Sequence, residues 1–366
     1  MRKFICSLAV IINMFTISVN AISAKSAILI DSASGRILYE KNAYQKLPMA
    51  STTKIMTGLL ACESGKLDEY VKVSPFASGT EGSSLWLEAG QQISFENLLY
   101  GLMLKSGNDA AVAIAEHIGG SVEAFALLMN QKAKAIGLKN TNFENPHGLD
   151  SENHYTTAYD LSMIAREAMK NEKFAQVVST KKFFIKENNG EWSRSLKNHN
   201  KLLWMYDGCN GVKTGYTKKC GRCLVSSAEK DGTQLICVTL SAPDDWKDHT
   251  YLLDYGFNNY DTVILSKKGE KACHFTYNKK YKKSTPLVFS EEFKIAKNES
   301  DNISTEIELR NVKLPAKKGA VAGYAYFFCN GEKIGSVELI TTKKIKNVSI
   351  LEKIKYKFVN FIKNTD

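Results

Sequence analysis

Three short polar motifs follow one another along the chain: Ser51-Thr-Thr-Lys54, Ser106-Gly-Asn108 and Lys213-Thr-Gly215. Each motif alone arises often by chance in a protein of 366 residues. Together they supply a hydroxyl nucleophile, two amines and further hydrogen-bonding side chains, which is the set that a serine-based acyl-transfer site requires. We therefore predict that the three motifs converge on one active site.

The first motif has the spacing of neighbours on one helical turn. Residues i and i+3 share a helix face, so the Ser51 hydroxyl and the Lys54 amine can meet. Ser51 is the predicted nucleophile and Lys54 is its base, which requires the amine to be partly neutral. Burial and the positive charge of Lys213 would both lower the pKa of Lys54. Ser51 also suits the start of a helix as a capping residue, and that role is compatible with catalysis.

The second motif lies at the polar break between two helical stretches. We predict that Ser106 relays a proton between Lys54, Ser51 and a leaving amine. Asn108 is expected to hold Lys54 and the amide carbonyl of a substrate. The same three residues also suit a plain turn between helices.

The third motif opens a predicted strand over residues 211–216. Lys213 supplies positive charge, Thr214 can donate a hydrogen bond to a terminal carboxylate, and Gly215 keeps side-chain bulk away from a substrate. An edge strand of this kind binds an extended peptide as an additional strand. The backbone N–H groups of Ser51 and Tyr216 are the predicted oxyanion hole.

The elements that must position these motifs include strands near the start and after residue 210, with amphipathic helices between them. Such strands pair into one sheet with helices packed on it, so we predict an α+β domain over residues 25–260. Short strands and polar turns then indicate a small all-β domain over residues 261–345. The predicted helices are 51–64, 95–104, 110–118, 122–136, 157–170 and 248–257, and the predicted strands are 26–30, 36–39, 224–228 and 234–241.

Both ends of the chain carry patterns of export and membrane contact. A basic start and an apolar run over residues 4–19 precede the small residues Ala21 and Ala24, which is typical of a secretory signal over residues 1–24. A membrane anchor is the alternative. Residues 346–366 form a basic amphipathic pattern, which either lies in a membrane interface or docks on the all-β domain. We expect an exported protein held peripherally on the outer face of the cytoplasmic membrane.

Composition narrows the class of protein and of its ligands. The chain is 44% hydrophobic and 24% charged, as soluble globular domains are, and its formal net charge is +11. A basic surface suits an anionic polymer or membrane, and the export pattern argues against nucleic acid. Cys220 and Cys223 form a pair without the second pair or nearby histidines that would complete a zinc site. We expect no metal or organic cofactor, and either buried thiols or one disulfide at this pair.

The motifs and their surroundings resemble the low-molecular-mass penicillin-binding proteins that are D-alanyl-D-alanine carboxypeptidases. The similarity extends over about residues 26–366, and the stretches that carry it besides the three motifs are Asp31-Ser-Ala-Ser-Gly-Arg36, Leu98-Leu-Tyr-Gly-Leu102, Asn145-Pro-His-Gly-Leu149, Thr157-Ala-Tyr-Asp160, Asn198-His-Asn-Lys201 and 207–217.

This resemblance implies a β-lactamase/transpeptidase-like catalytic domain built as an antiparallel sheet with helices. It implies a serine-type carboxypeptidase that removes the terminal D-alanine from peptidoglycan stem pentapeptides through an acyl-enzyme on Ser51. It also implies acylation and inhibition by β-lactam antibiotics, and it places His147 beside the site as a supporting residue.

Two positions depart from the pattern of the family. Many relatives carry an arginine near residues 245–247 that helps to bind the substrate carboxylate, and here the candidates are Lys247 and Arg222. Cys220 stands where relatives usually have a small residue such as alanine.

Two other functions are compatible with some of these features. A β-lactamase needs a fast deacylating base, usually a glutamate, and the loop 145–150 offers none in a matching motif. A catalytically weak wall-binding or penicillin-sensing module would be expected to lose Ser51, Lys54 or Lys213, and none of these is lost.

Overall fold

The computed structural model describes residues 22–187, 192–278, 280–281, 283–347, 349, 351 and 354. Most of the predicted signal and most of the predicted tail helix lie outside these residues. Ser23 lies within them, and its backbone N–H and its hydroxyl both donate to the Asp248 carboxylate, at 2.9 and 2.7 Å.

A five-stranded antiparallel sheet forms the centre of the first domain, with its strands in the order β2-β1-β9-β8-β7. These strands are β1 Ser26–Asp31, β2 Ile37–Lys41, β7 Cys209–Thr217, β8 Gly221–Lys230 and β9 Thr233–Leu240. Successive side chains of a strand point to opposite faces, so a strand covered on both faces is apolar throughout. In β1, Ile28 and Ile30 enter one core and Leu29 enters the other.

Helices cover both faces of this sheet. They are α1 Lys54–Glu63, α2 Pro75–Ser78, α3 Phe95–Tyr100, α4 Asn108–Gly119, α5 Val122–Ala135, α6 Ala158–Met169, α7 Glu172–Ser179, α8 Leu202–Met205 and α9 Asp245–Asn259. Helix α6 packs on β1 and β9 with α1 behind it, and α9 packs on β8 and β9. Helices α5 and α6 begin after Ser121 and Thr157, whose hydroxyls accept hydrogen bonds from backbone N–H groups of the first turn.

Several short elements were not predicted from the sequence. They are α2, α7, α8 and two strand pairs, β3 Tyr70–Lys72 with β4 Gln92–Ser94, and β5 Lys182–Glu187 with β6 Trp192–Lys197. Strands of three residues are too short for an alternating pattern to stand out. The predicted helix 95–104 is also more complex, because α3 continues into a π-helical segment, Gly101–Lys105.

The second domain is built from strands alone. Its strands are β10 Asp261–Ser266, β11 Lys271–Asn278, β12 Lys283–Phe289, β13 Phe293–Lys297, β14 Ile303–Leu309, β15 Val321–Cys329 and β16 Glu332–Thr341. Five of them form a sheet in the order β11-β12-β16-β15-β14, and β10 pairs with β13. The Arg36 guanidinium donates two hydrogen bonds to the Asp301 carboxylate, at 2.5 and 2.7 Å, and so joins this domain to the first. The predicted fold class, an α+β domain followed by an all-β domain, is confirmed.

Within the described part of the chain, no single helix has the length and apolar character needed to cross a bilayer, although α4 and α5 pass that test as a pair bent by 81°.

Candidate active site

Ser51 lies on a tight 3-10 turn, Ala50–Thr53, that leads directly into α1. The predicted helix over residues 51–64 is therefore two elements, of which the first holds the nucleophile and the second begins at Lys54. Strand β7 packs against the turn. The arrangement brings Ser51 Oγ to 3.1 Å from Lys54 Nζ.

The Lys54 amine is fully buried and makes three contacts. Its Nζ lies 2.7 Å from Asn108 Oδ1, 2.6 Å from the His147 carbonyl oxygen and 3.1 Å from Ser51 Oγ. A neutral amine has two N–H donors and one lone pair. The two carbonyl oxygens accept both donors, so the lone pair remains for the proton of the Ser51 hydroxyl. The three contacts suit an ammonium that donates to all three oxygens, and they equally suit a neutral Lys54 that accepts the Ser51 proton as a base.

The electrostatic surroundings favour that neutral form. Burial lowers the pKa of Lys54 well below its usual value of 10.5, the positive charge of Lys213 lowers it further, and Asp109 acts in the opposite direction. Lys213 is also buried, and loss of hydration lowers its pKa to about 7. The positive charge of Lys213 therefore adds to the effect of burial on Lys54.

Ser106 ends the π-helical segment with a left-handed backbone conformation, at φ 62°. Its hydroxyl is buried, and no group in the described residues bonds it. Buried polar atoms normally have partners, so an unpaired hydroxyl beside the nucleophile is available to a substrate or a proton. Asn108 follows at the start of α4, and its Nδ2 donates to the Glu81 carbonyl at 2.7 Å. The Asn108 side chain thus faces Lys54 with its oxygen.

Strand β7 carries the third motif at the edge of the described sheet. Thr214 and Tyr216 face solvent-accessible space, whereas the Lys213 amine turns inward and donates to the Thr214 carbonyl oxygen at 2.9 Å. A Cβ added to Gly215 would lie 3.1 Å from the backbone nitrogen of Ser51. The glycine therefore allows β7 to approach the nucleophile turn closely, which is a different reason for this residue than the predicted clearance for substrate.

His147 contributes its main chain to the site rather than its ring. Its carbonyl oxygen accepts from Lys54, and its Nδ1 accepts from the backbone N–H of Leu149 at 3.2 Å. Burial and the charge of Lys54 lower the pKa of His147 to about 3, so the ring is neutral at pH 7. The adjacent Gly148 has φ +90°, and a Cβ there would lie 1.9 Å from the Ala50 carbonyl oxygen. This loop is pressed against the nucleophile turn.

A cavity of about 320 Å³ opens in front of Ser51. Five predicted site residues line it, namely Ser51, Ser106, Thr214, Gly215 and Tyr216. Arg222, one of the two predicted carboxylate-binding candidates, also lines it, together with five residues that were not predicted, namely Ser83, His199, Lys201, Asp245 and Trp246. The remaining predicted residues, Lys54, Asn108, Lys213 and His147, are not part of the lining.

Arg222 is the one of the two alternative carboxylate-binding candidates that lines this cavity. Its Nε and Nη2 both donate to Asp245 Oδ1, at 2.9 and 2.7 Å, and its guanidinium carbon lies 5.6 Å from the centre of the Trp246 ring. Its Nη1 has no acceptor within the described residues. Arg222 stands opposite Tyr216 in the β7–β8 register, a pairing that a hairpin prediction could have exploited.

The cysteine pair lies just behind the third motif. Cys220 and Cys223 are buried free thiols with their Sγ atoms 3.2 Å apart, and Cys220 Sγ also lies 3.0 Å from the Pro48 carbonyl oxygen. Hydrogen bonding to Cys223 and burial raise the pKa of the Cys220 thiol. Of the two predicted states, the described structure therefore has the thiols.

Family models, related sequences and a solved structure that are similar to this chain all belong to the same group of proteins. A family model described as "D-alanyl-D-alanine carboxypeptidase" matches residues 13–244, and one described as "Penicillin-binding protein 5, C-terminal domain" matches residues 260–347. The chain is 35% identical over 356 residues to D-alanyl-D-alanine carboxypeptidase DacF of Bacillus subtilis, covering 93% of this chain and 89% of that protein. It is 32% identical over 350 residues to DacC of Escherichia coli, covering 90% and 86%. The crystal structure of penicillin-binding protein 5 from Haemophilus influenzae is similar with a TM-score of 0.75 at 31% identity, covering 89% of this chain and 98% of that one.

Proposed function

The chain belongs to the D-alanyl-D-alanine carboxypeptidase family, and on that premise we propose that Ser51 is the nucleophile with which it removes the terminal D-alanine of peptidoglycan stem peptides. The protein is a serine-type D-Ala-D-Ala carboxypeptidase, and it binds β-lactam antibiotics as penicillin-binding proteins do. The observation that carries the role of Ser51 is the set of three contacts made by the buried Lys54 amine.

Acylation begins when the substrate lies extended along the open edge of β7. Ser51 Oγ attacks the carbonyl of the penultimate D-alanine while Lys54 accepts the hydroxyl proton. The negative charge moves to the carbonyl oxygen, which the N–H groups of Ser51 and Tyr216 stabilise. The close approach of Gly215 to the Ser51 nitrogen supports this placement of the two donors. Such a donor contributes roughly 3 kcal/mol in other enzymes.

The leaving D-alanine needs a proton on its nitrogen as the C–N bond breaks. The unpaired, buried hydroxyl of Ser106 supports its role as the donor, because it lines the cavity in front of Ser51. The proton taken by Lys54 replaces the one that Ser106 gives up. A water molecule then attacks the ester carbonyl while Lys54 accepts its proton. The bond between the carbonyl carbon and Ser51 Oγ breaks, Lys54 gives the proton to Oγ, and the shortened peptide leaves with a new carboxylate.

The carboxylate of the leaving D-alanine is bound by Thr214 and Arg222. Both line the cavity, and the free Nη1 of Arg222 supplies charge-assisted donors there. Asp245 holds the guanidinium from behind and Trp246 packs near it, which limits its motion. Lys213, which is buried beneath β7, adds positive charge when it is protonated.

Mass spectrometry after incubation with penicillin tests the nucleophile. The expected adduct is on the peptide that contains Ser51, and Ser51→Ala should abolish both the adduct and D-alanine release. Ser83→Ala is the matched control, since Ser83 lines the same cavity without a role in the mechanism. An adduct that survives Ser51→Ala would refute the assignment, and rapid turnover of penicillin would favour a β-lactamase.

We also propose that the chain is exported and rests on the outer face of the cytoplasmic membrane through residues 346–366. Leu351 and Ile354 are 78% and 58% exposed, so the all-β domain does not cover these two apolar side chains. Their apolar side chains and the nearby lysines suit an anionic bilayer interface. Flotation with vesicles containing anionic lipid should retain the full chain and lose a chain ending at residue 345. Equal behaviour of the two chains would favour a docked tail.

The limits proposed for the parts of the chain are a signal over residues 1–24, a catalytic domain over 25–260 and an all-β domain over 261–345. The beginning of β10 at Asp261 supports the second limit.

A further inference from the structure

The peptide unit that joins Ala50 to Ser51 lies between two closely packed segments. Its bond is trans, so the Ala50 carbonyl and the Ser51 N–H point in opposite directions. On the N–H side is Gly215 of β7, where an added Cβ would lie 3.1 Å from the Ser51 nitrogen. On the carbonyl side is Gly148, where an added Cβ would lie 1.9 Å from the Ala50 oxygen. The contacts that hold the Ala50 carbonyl therefore also aim the Ser51 N–H at β7, where the proposed oxyanion hole lies.

The Ala50 backbone does not hold this orientation by its own preference. Its φ is +48°, in the left-handed region that residues other than glycine rarely adopt. Such a conformation persists only where the surrounding contacts determine it. The hydrogen bonds of the Ala50 carbonyl must therefore supply part of that restraint.

A chain of three hydrogen bonds ends at the Ala50 carbonyl. Thr53 Oγ1 lies 2.8 Å from the Ala50 oxygen and 2.8 Å from His154 Nε2. The backbone nitrogen of Glu144 lies 3.0 Å from His154 Nδ1, and because a backbone N–H can only donate, Nδ1 is the acceptor. A neutral ring then carries its proton on Nε2 and donates it to Thr53. The Thr53 hydroxyl proton is left for the Ala50 carbonyl, so all three bonds run in one direction.

His154 supplies a fixed hydrogen bond rather than a mobile proton. It is 4% exposed and is not part of the lining of the cavity in front of Ser51. Burial lowers the pKa of His154 to about 4, and the positive charge of Lys54 acts in the same direction. The ring is therefore neutral at pH 7, as the direction of the three hydrogen bonds requires.

We propose that His154 and Thr53 are positioning residues for the oxyanion hole, a role that rests on the proposed function. Through the Ala50 carbonyl they fix the peptide unit whose N–H stabilises the oxyanion. A hydrogen bond accepted by this carbonyl also polarises the peptide unit and strengthens its N–H as a donor. Negative charge develops on the substrate oxygen only in the transition state, so the two residues lower the barrier to acylation without strengthening substrate binding.

Thr53→Val tests the hydroxyl, because it keeps nearly the same shape and removes the donor. We expect kcat for D-alanine release from a stem peptide ending in D-Ala-D-Ala to fall about tenfold, with KM within about twofold. A thioamide analogue, with sulfur in place of the attacked carbonyl oxygen, gives a second readout. Sulfur accepts hydrogen bonds weakly, so kcat on this analogue should fall by less than about threefold. A displaced Ser51 hydroxyl would instead slow both substrates equally.

Two substitutions of His154 separate its donor from its bulk. His154→Leu should lower kcat on the amide substrate as Thr53→Val does. His154→Gln, whose side-chain amide can donate to Thr53, should restore kcat to within about threefold of the wild-type value. The double variant with Thr53→Val and His154→Leu should be no slower than the slower single variant, because the two residues act in series on one carbonyl.

Thr239→Val is the matched control. Thr239 is buried, and its Oγ1 lies 3.0 Å from Nε2 of the buried His249, so the pair repeats the threonine–histidine contact away from the cavity in front of Ser51. This variant should lower the urea midpoint about as much as Thr53→Val and change neither kcat nor KM.

The possible outcomes are distinct. Equal losses on the amide and thioamide substrates, or a change in KM alone, would overturn the role of Thr53 in the oxyanion hole. Activity in His154→Gln as low as in His154→Leu, or additive losses in the double variant, would overturn the role of His154. A wild-type protein that is acylated by penicillin but releases no D-alanine would overturn the proposed function instead, and the acylation rates of the same variants would then decide this inference.

Discussion

Lys213 allows a direct test of the electrostatics of the site, because burial of its amine should lower the free energy of unfolding by an amount that can be measured. Its side chain is enclosed beneath β7, and the hydrogen bond from its Nζ to the Thr214 carbonyl oxygen is 2.9 Å long. Burial lowers its pKa from 10.5 to about 7. Replacement by methionine, which has a similar length and no charge, should therefore stabilise the fold and impair the site.

The expected gain in stability of Lys213→Met follows from the difference between the pKa of Lys213 in the folded chain and in the unfolded chain. At about 1.4 kcal/mol per pH unit, the lowered pKa of Lys213 costs about 4 kcal/mol of folding free energy at pH 7. Losing one hydrogen bond offsets about 1 kcal/mol, so Lys213→Met should be about 3 kcal/mol more stable than the wild-type protein at pH 7.

The lowered pKa of Lys213 also determines how the stability difference between the two proteins changes with pH. Below pH 7 both states hold the Lys213 proton, and the penalty is constant. Between pH 7 and 10.5 the unfolded chain binds more protons there than the folded chain, so wild-type stability rises with pH. The advantage of Lys213→Met should therefore shrink by about 2 kcal/mol between pH 7 and 9.

Urea unfolding at pH 7 and pH 9 measures this difference. Lys72→Met on β3 is the control, because Lys72 is exposed in the folded chain and its substitution should give no pH-dependent difference. Penicillin acylation at pH 7 should fall in Lys213→Met, since Lys54 loses the positive neighbour that lowers its pKa. A variant that is no more stable than the wild-type protein at pH 7, or whose advantage is the same at both pH values, would refute the account of Lys213 as a desolvated amine.

Three further substitutions test other parts of the structure. Lys54→Arg should slow penicillin acylation by at least about a hundredfold at every pH from 6 to 9, because a guanidinium cannot become a neutral base. A stopped assay measures the acylation rate, and a rate that recovers at high pH would contradict this prediction. Gly148→Ala should lower the free energy of unfolding by about 3 kcal/mol or more, since both its φ and the nearby nucleophile turn exclude a Cβ. Gly137→Ala, with φ +89° but open space, should cost only the backbone strain, and equal urea midpoints for the two would argue against the clash. Arg36→Met should destabilise the junction of the two domains by about 3 kcal/mol in thermal or urea unfolding, because it leaves the buried Asp301 carboxylate without its partner, and an unchanged midpoint would show that this ion pair is dispensable.

The regular elements were largely predictable because their signals are local. The helices α4, α5 and α6 agree with the predicted ranges within about two residues at each end, since apolar periodicity defines all three and a hydroxyl cap also marks the start of α5 and α6. The two strands β8 and β9 follow the same logic. The π-helical segment before Ser106 had no such signal, because only packing against neighbouring elements decides whether a helix takes an additional residue per turn there.

At the active site, too, the features encoded in short motifs were predictable, and the distances between residues far apart in the chain were not. The residue types and order of the three motifs indicated a serine nucleophile, a lysine base and the enzyme class, because each motif contains its functional side chains within a few positions of one another. The neutral state of Lys54 depends on its burial and on the charge of Lys213, and the position of its amine depends on Asn108 and on the carbonyl of His147, which lie 54 and 93 residues away along the chain. Likewise, neither motif nor composition distinguishes Arg222 from Lys247. That choice is made by the pairing of β7 with β8 and by the position of Asp245, since a distance between side chains on separate elements exists only after the chain has packed.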